Sequence, residues 1–136
     1  MNILARFICA AFIAMSSAAV LACGVCIDDK VAATYDHAVV TRAVARHQLM
    51  VFGEIAGAVD MKVATSRIAR AAPEVPGIDR RSVRTSLAPA AFSFALDPAA
   101  RAPDAAVAEL QKRLHVPGAT LVVLRIMSGD TKPSRN

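Results

Sequence analysis

Ala91-Phe92-Ser93-Phe94-Ala95-Leu96-Asp97-Pro98 is the stretch from which the rest of the chain can be read. Phe92, Phe94 and Leu96 recur at period two, so an extended strand carries all three large side chains on one face. Asp97-Pro98 stops it, because proline lacks the N–H a ladder needs and restricts the residue before it. Just upstream, Val83 and Leu87 alternate with Ser82, Arg84 and Ser86 across Arg81 to Ala88, which predicts a strand with one wet face. Pro89-Ala90 turns one run into the other. The middle of the chain is a hairpin.

Each flank repeats one helix and one strand. Downstream, Pro103 and Asp104 open a helix with Val107, Leu110 and Leu114 inward and Glu109 paired with Arg113 outward. Pro117-Gly118 then leads into an apolar strand, Thr120 to Met127. Upstream, Gln48 to Ile55 sends Leu49, Val51 and Ile55 one way and Met50 and Phe52 the other, the pattern of a strand covered on both faces. Asp60 caps a helix whose stripe is Met61, Ala64, Ile68 and Ala72. Pro73 ends that helix, and Val75-Pro76-Gly77-Ile78 is a turn.

Strand, helix, strand, strand, helix, strand is the split βαβ order. Right-handed crossovers place both helices on one face of a four-stranded antiparallel sheet. The expected class is α+β: a ferredoxin-like βαββαβ sandwich over residues 48–127, preceded by a signal peptide and an extra N-terminal helix. Over Gln48 to Met127 the chain resembles the heavy-metal-associated domain of metallochaperones and metal-transporting ATPases. The similar residues are Val75-Pro76-Gly77-Ile78 and Phe94-Ala95-Leu96-Asp97-Pro98, with a helix following. In that family two cysteines in the loop between the first strand and first helix bind the metal. The matching loop, Ala56 to Asp60, has no cysteine. The resemblance implies the fold and does not carry over the metal site.

Residues 23–47 form an arm ahead of that domain. Ile27, Val31, Tyr35, Ala38 and Val39 predict a helix from Ile27 to Arg46, with Asp28 and Asp29 in its first turn and Arg42 and Arg46 near its end. Cys23 and Cys26 stand just before it. Two thiols at this spacing chelate one ion or close a short, reducible disulfide. Helix N–H groups stabilise a thiolate, whereas Asp28 and Asp29 repel one, which favours metal binding over redox catalysis. Two thiolates suit linear Cu(I); Zn²⁺ wants four ligands and would have to recruit others. His37 and His47 are the candidates for those, but His37, eleven residues past Cys26 and beside Asp36, reads as a surface histidine, as does His115.

Residues 1–22 have the three parts of a secretory signal: Arg6, an apolar run from Phe7 to Leu21, and the small residue Ala22 at the cut. Cys9 leaves with it. Val20-Leu21-Ala22-Cys23 also resembles a bacterial lipobox. Acylation there would turn the Cys23 sulfur into a thioether and tie the protein to a membrane. Either way the expected compartment is the periplasm or the exterior. Residues 128–136 are a polar tail expected to be disordered.

Composition narrows the function classes. The 136 residues suffice for one domain, with net charge +5 from scattered cations. Arg80, Arg81 and Arg84 are the densest basic group, and they lack the interleaved aromatics of a nucleic-acid site. There is no HExxH, no Gly-rich phosphate loop and no Ser-His-Asp spacing. Three readings remain open. The first is a soft-metal binder using Cys23 and Cys26. The second is an interaction module or lipoprotein that binds another envelope protein. The third is a thiol–disulfide oxidoreductase using the same pair.

Overall fold

A computed structural model describes residues 22–129, with side chains from Ile27 onward. The expected signal, residues 1–22, lies outside the described residues except for Ala22, and the expected tail lies outside them beyond Gly129.

Eight main elements follow in order: α1 (Ala22–Thr34), α2 (His37–Ala45), β1 (Leu49–Ala56), α3 (Met61–Ala71), β2 (Arg84–Leu87), β3 (Ala90–Leu96), α4 (Pro103–Leu114) and β4 (Thr120–Ser128). The strands form one sheet in the order β2-β3-β1-β4, and every neighbouring pair is antiparallel. The architecture is α+β with a four-stranded antiparallel sheet. Ser128, expected in the tail, closes β4 opposite Leu49.

Helices α3 and α4 pack on one face of this sheet. Ile68, Leu110 and Leu114 meet Val51, Phe92, Phe94 and Leu96 there, all nearly or fully removed from solvent. Asp60 caps α3, its carboxylate accepting from the N–H groups of Lys62 and Val63. Pro103 opens α4 at a position where a missing N–H costs nothing. Burying each large apolar side chain is worth roughly 1.5–3 kcal/mol, so this layer supplies most of the stability.

The opposite face is covered too. Met50, Phe52 and Ala95 meet Val31 of α1 and Val39 and Ala43 of α2. This explains why β1 and β3 are apolar on both faces: helices sit above and below them. The cluster has six buried residues against seventeen on the α3–α4 side, so the arm is the more weakly held layer.

Three local features depart from the sequence reading. The helix expected over 27–46 is two helices, because Asp36 adopts extended backbone and caps α2 by accepting from the Val39 N–H at 3.2 Å. The helix also starts earlier, at Ala22, so Asp28 and Asp29 lie past its first turn. Finally, Arg80–Ser82 is a 3-10 turn, and strand β2 begins only at Arg84. Ser82, expected on a wet face, is fully buried; Leu87, expected inward, is among the exposed hydrophobics. Ser82 Oγ donates to the Asp79 carbonyl and accepts from the Ala95 N–H at 2.7 Å, tying the turn to β3.

Gly53 is required by close approach. A Cβ there would fall 2.3 Å from Cζ of Phe92 and 2.8 Å from the Val122 carbonyl. Opposite this point β4 bulges, with Phe52 facing Arg125 and Gly53 facing Val123, so Leu124 is the extra residue.

Candidate site at the amino-terminal arm

Helix α1 crosses the strands rather than running along them, and its contacts follow the order of the sheet. Asp28 accepts from Arg125 Nη2 of β4 at 2.8 Å. Lys30 pairs with Glu54 of β1. The Thr34 carbonyl accepts from Ser93 Oγ of β3 at 2.9 Å. Just past the helix, Asp36 accepts from Nε and Nη2 of Arg84 in β2, at 3.1 and 2.9 Å. Tyr35 stacks on Phe52 with ring planes 10° apart. Farther along, Arg46 of the arm lies 3.6 Å from Asp79, which caps the turn before β2. The arm is a strap seated on a small apolar patch and fixed by ion pairs.

The course of the strap places the cysteines. Asp28 already lies over β4, the edge strand, and the helix rises about 1.5 Å per residue. The backbone of Cys26 is therefore about 3 Å, and that of Cys23 about 7.5 Å, farther along the axis than Asp28. Both positions belong to α1, within one turn of each other, on the amino-terminal side of the residue that pairs with β4. Their side chains lie outside the described part. The expectation that Cys26 precedes the helix is corrected to a position inside it.

The histidines do not converge on this end. His37 opens α2, His47 follows it with φ 54°, and His115 ends α4 with φ 49°; all three are exposed. Among the described residues no group of three or more His, Cys, Asp or Glu could hold a metal ion. The Ala56 to Asp60 segment that corresponds to a heavy-metal loop holds the turn glycine Gly57 and the α3 cap.

Two other features stand apart from the cysteines. Gln111, Lys112, His115, Val116 and Pro117 line a shallow surface depression at the end of α4. Gln111 is committed there to structure, since its amide donates to the Ala119 carbonyl and accepts from the Leu121 N–H. The second is Asp36, whose carboxyl is held below its usual value, first by the Val39 N–H and then by the Arg84 side chain. This group builds the strap; it faces no cleft.

Sequence reasoning missed the strap's ion pairs. It treated Arg84 as a solvated edge residue, although Arg84 reaches across to Asp36. The charged residues Asp28, Lys30 and Asp36 of the arm, two and six positions apart, were the available signal. Comparisons of the chain with protein-family models, with characterised proteins and with solved structures give no match. Among the described residues no helix is long and apolar enough to cross a membrane.

Proposed function

We propose that the chain is an exported small binding protein in which Cys23 and Cys26 hold one soft cation, Cu(I) in preference to Zn²⁺. The observation that carries this reading is the placement of both positions within one turn of α1. Residues three apart on a helix share a face, about 5–6 Å apart at Cβ, so two thiolates there can converge on one ion. Linear two-coordination is sufficient for Cu(I). Zn²⁺ would need two more ligands.

The strand order, with one helix after β1 and one after β3, supports the ferredoxin-like reading of residues 48–127 and the resemblance to heavy-metal-associated domains. The metal-binding cysteines would then have moved from the first loop to the arm. Residues 1–22 act as the signal, and the protein works in the periplasm or outside the cell.

A second reading rests on Val20-Leu21-Ala22-Cys23. If Cys23 is acylated, the protein is a membrane-anchored interaction module that binds another envelope protein, and Cys26 is its one remaining thiol. A thiol–disulfide oxidoreductase is the third. Titration with Cu(I) under reducing conditions tests the first. One equivalent should bind to the wild type, and none to the Cys23→Ser or Cys26→Ser variants. Stoichiometric binding by the double variant would sink it. The intact mass of the purified protein decides the second: a lipid adduct on Cys23 removes that thiolate from the site.

A further inference from the structure

The two edges of the sheet are treated differently. β2 has four residues, Arg84, Thr85, Ser86 and Leu87, and Pro89 follows it. Short length, charge and proline are the usual means by which an edge strand avoids pairing with another chain. β4 has nine residues, and six of them are Leu, Val, Ile or Met. Its single charge, Arg125, is engaged by Asp28. Among the described residues no strand pairs with its outer side.

We infer that β4 is a strand-addition edge and that its occupant is β4 of a second copy of this chain, running antiparallel across a two-fold axis. Three observations select that occupant. The outer side of the strand offers main-chain donors and acceptors, which another extended segment satisfies. Val122 and Ile126 are exposed, one on each face of the sheet, so the added strand must be apolar on both faces. β4 itself has that composition. Charge agrees as well: in a two-fold antiparallel pair two Arg125 side chains meet only if the axis passes through Arg125, so every other register sets the strand's one charge against an uncharged residue. In those registers no like charges meet, although the whole chain carries +5.

The overhang of α1 fits the same geometry. A fifth strand would lie about 4.8 Å beyond β4. The amino-terminal turns of α1 extend about 9 Å beyond Asp28, far enough to cover it. Two-fold symmetry would then put the first turns of both α1 helices on one face at the seam. The pairing itself does not depend on the cysteines or on a bound metal.

The test uses the Cys23→Ser/Cys26→Ser protein, so that the outcome is independent of the metal reading. Sedimentation equilibrium over a wide concentration range should give twice the chain mass at high concentration and a reversible fall towards one chain mass on dilution. Val122→Lys and Ile126→Lys, both at exposed positions, should each keep the circular dichroism of the parent and shift the equilibrium to monomer. If a variant fails to fold, hydrogen exchange of the parent substitutes: β4 amides should gain protection as concentration rises. A single chain mass at every concentration overturns the inference. So does a dimer unmoved by both lysines. Concentration-independent protection of β4 in a monomer also overturns it, since residues 1–21 or 130–136 would then cover the edge.

Discussion

Asp36 and Arg84 are 48 residues apart in sequence and meet through two hydrogen bonds on one carboxylate oxygen, Oδ2, while Oδ1 caps helix α2. One side chain thus starts α2 and fastens the arm to the edge strand β2. A cap alone is worth about 1 kcal/mol, and Asn serves nearly as well as Asp. The charge is what Arg84 adds.

That division predicts a pH dependence. The folded-state pKa of Asp36 is lowered, so its contribution is present above the unfolded carboxylate value of about 4 and is lost as pH falls through the folded value. Asp36→Asn keeps an oxygen for the cap and loses the charge. The variant should be less stable than wild type at neutral pH, and the difference should shrink in acid. Urea midpoints at neutral and acidic pH would check this; a difference independent of pH would show that Arg84 senses only the amide.

The strap's ion pairs should not be equal. Lys30 and Glu54 are each about one quarter exposed, whereas Asp28 is 69% exposed opposite Arg125. Screening by water leaves exposed pairs little net energy, about 0–1 kcal/mol. Double-mutant cycles should therefore give a coupling of about 1 kcal/mol for Lys30–Glu54 and a smaller one for Asp28–Arg125. The reverse ranking would mean that the overhanging end of α1 is held more tightly than its middle.

Gly53→Ala is expected to cost about 1–3 kcal/mol, the usual penalty for overpacking. The added methyl meets both the buried Phe92 ring and a carbonyl of β4. Phe92→Leu in the same chain should recover part of that loss despite its own cost. Simple additivity in chemical denaturation would mean that the carbonyl of Val122, not the ring, sets the limit.

Two buried hydroxyls should respond in opposite directions. Ser82→Ala leaves the buried Ala95 N–H without its acceptor and should destabilise by about 1–3 kcal/mol. Thr34 Oγ1 is buried with no partner among the described residues, so Thr34→Val, nearly the same shape, should stabilise by up to about 1 kcal/mol. Thermal melts of both variants make the comparison. A Thr34→Val variant that loses stability would reveal a partner for the hydroxyl.

Much of the sheet was legible because its signals are local. Phe92, Phe94 and Leu96 announce a strand by alternation alone, and Asp60 and Pro103 mark helix starts by their own chemistry. What escaped depends on distant partners. Nothing near Asp36 distinguishes a cap from a mid-helix residue until Arg84 arrives from β2. Ser82 looks like a surface serine because its acceptor role is fixed by Ala95 across the turn. The face of β1 carrying Met50 and Phe52 was read as buried without showing what buries it, since Val31, Val39 and Ala43, which cover it, come from the arm and not from β1's own neighbours in sequence. The CxxC was plain as a motif, but its place inside α1, ahead of the residue that pairs with β4, follows only from the structure.

The course of α1 also fixes an order of assembly. The bond between Asp28 and Arg125 joins the first described helix to the last strand, 97 residues away. Every side-chain bond that seats α1 on the sheet spans at least 24 residues. Loop closure over such separations comes late, after local hairpins and helices have formed. Arg125 is made 97 residues after Asp28, so the contact that joins α1 to β4 cannot form until nearly all of the described chain has been synthesised.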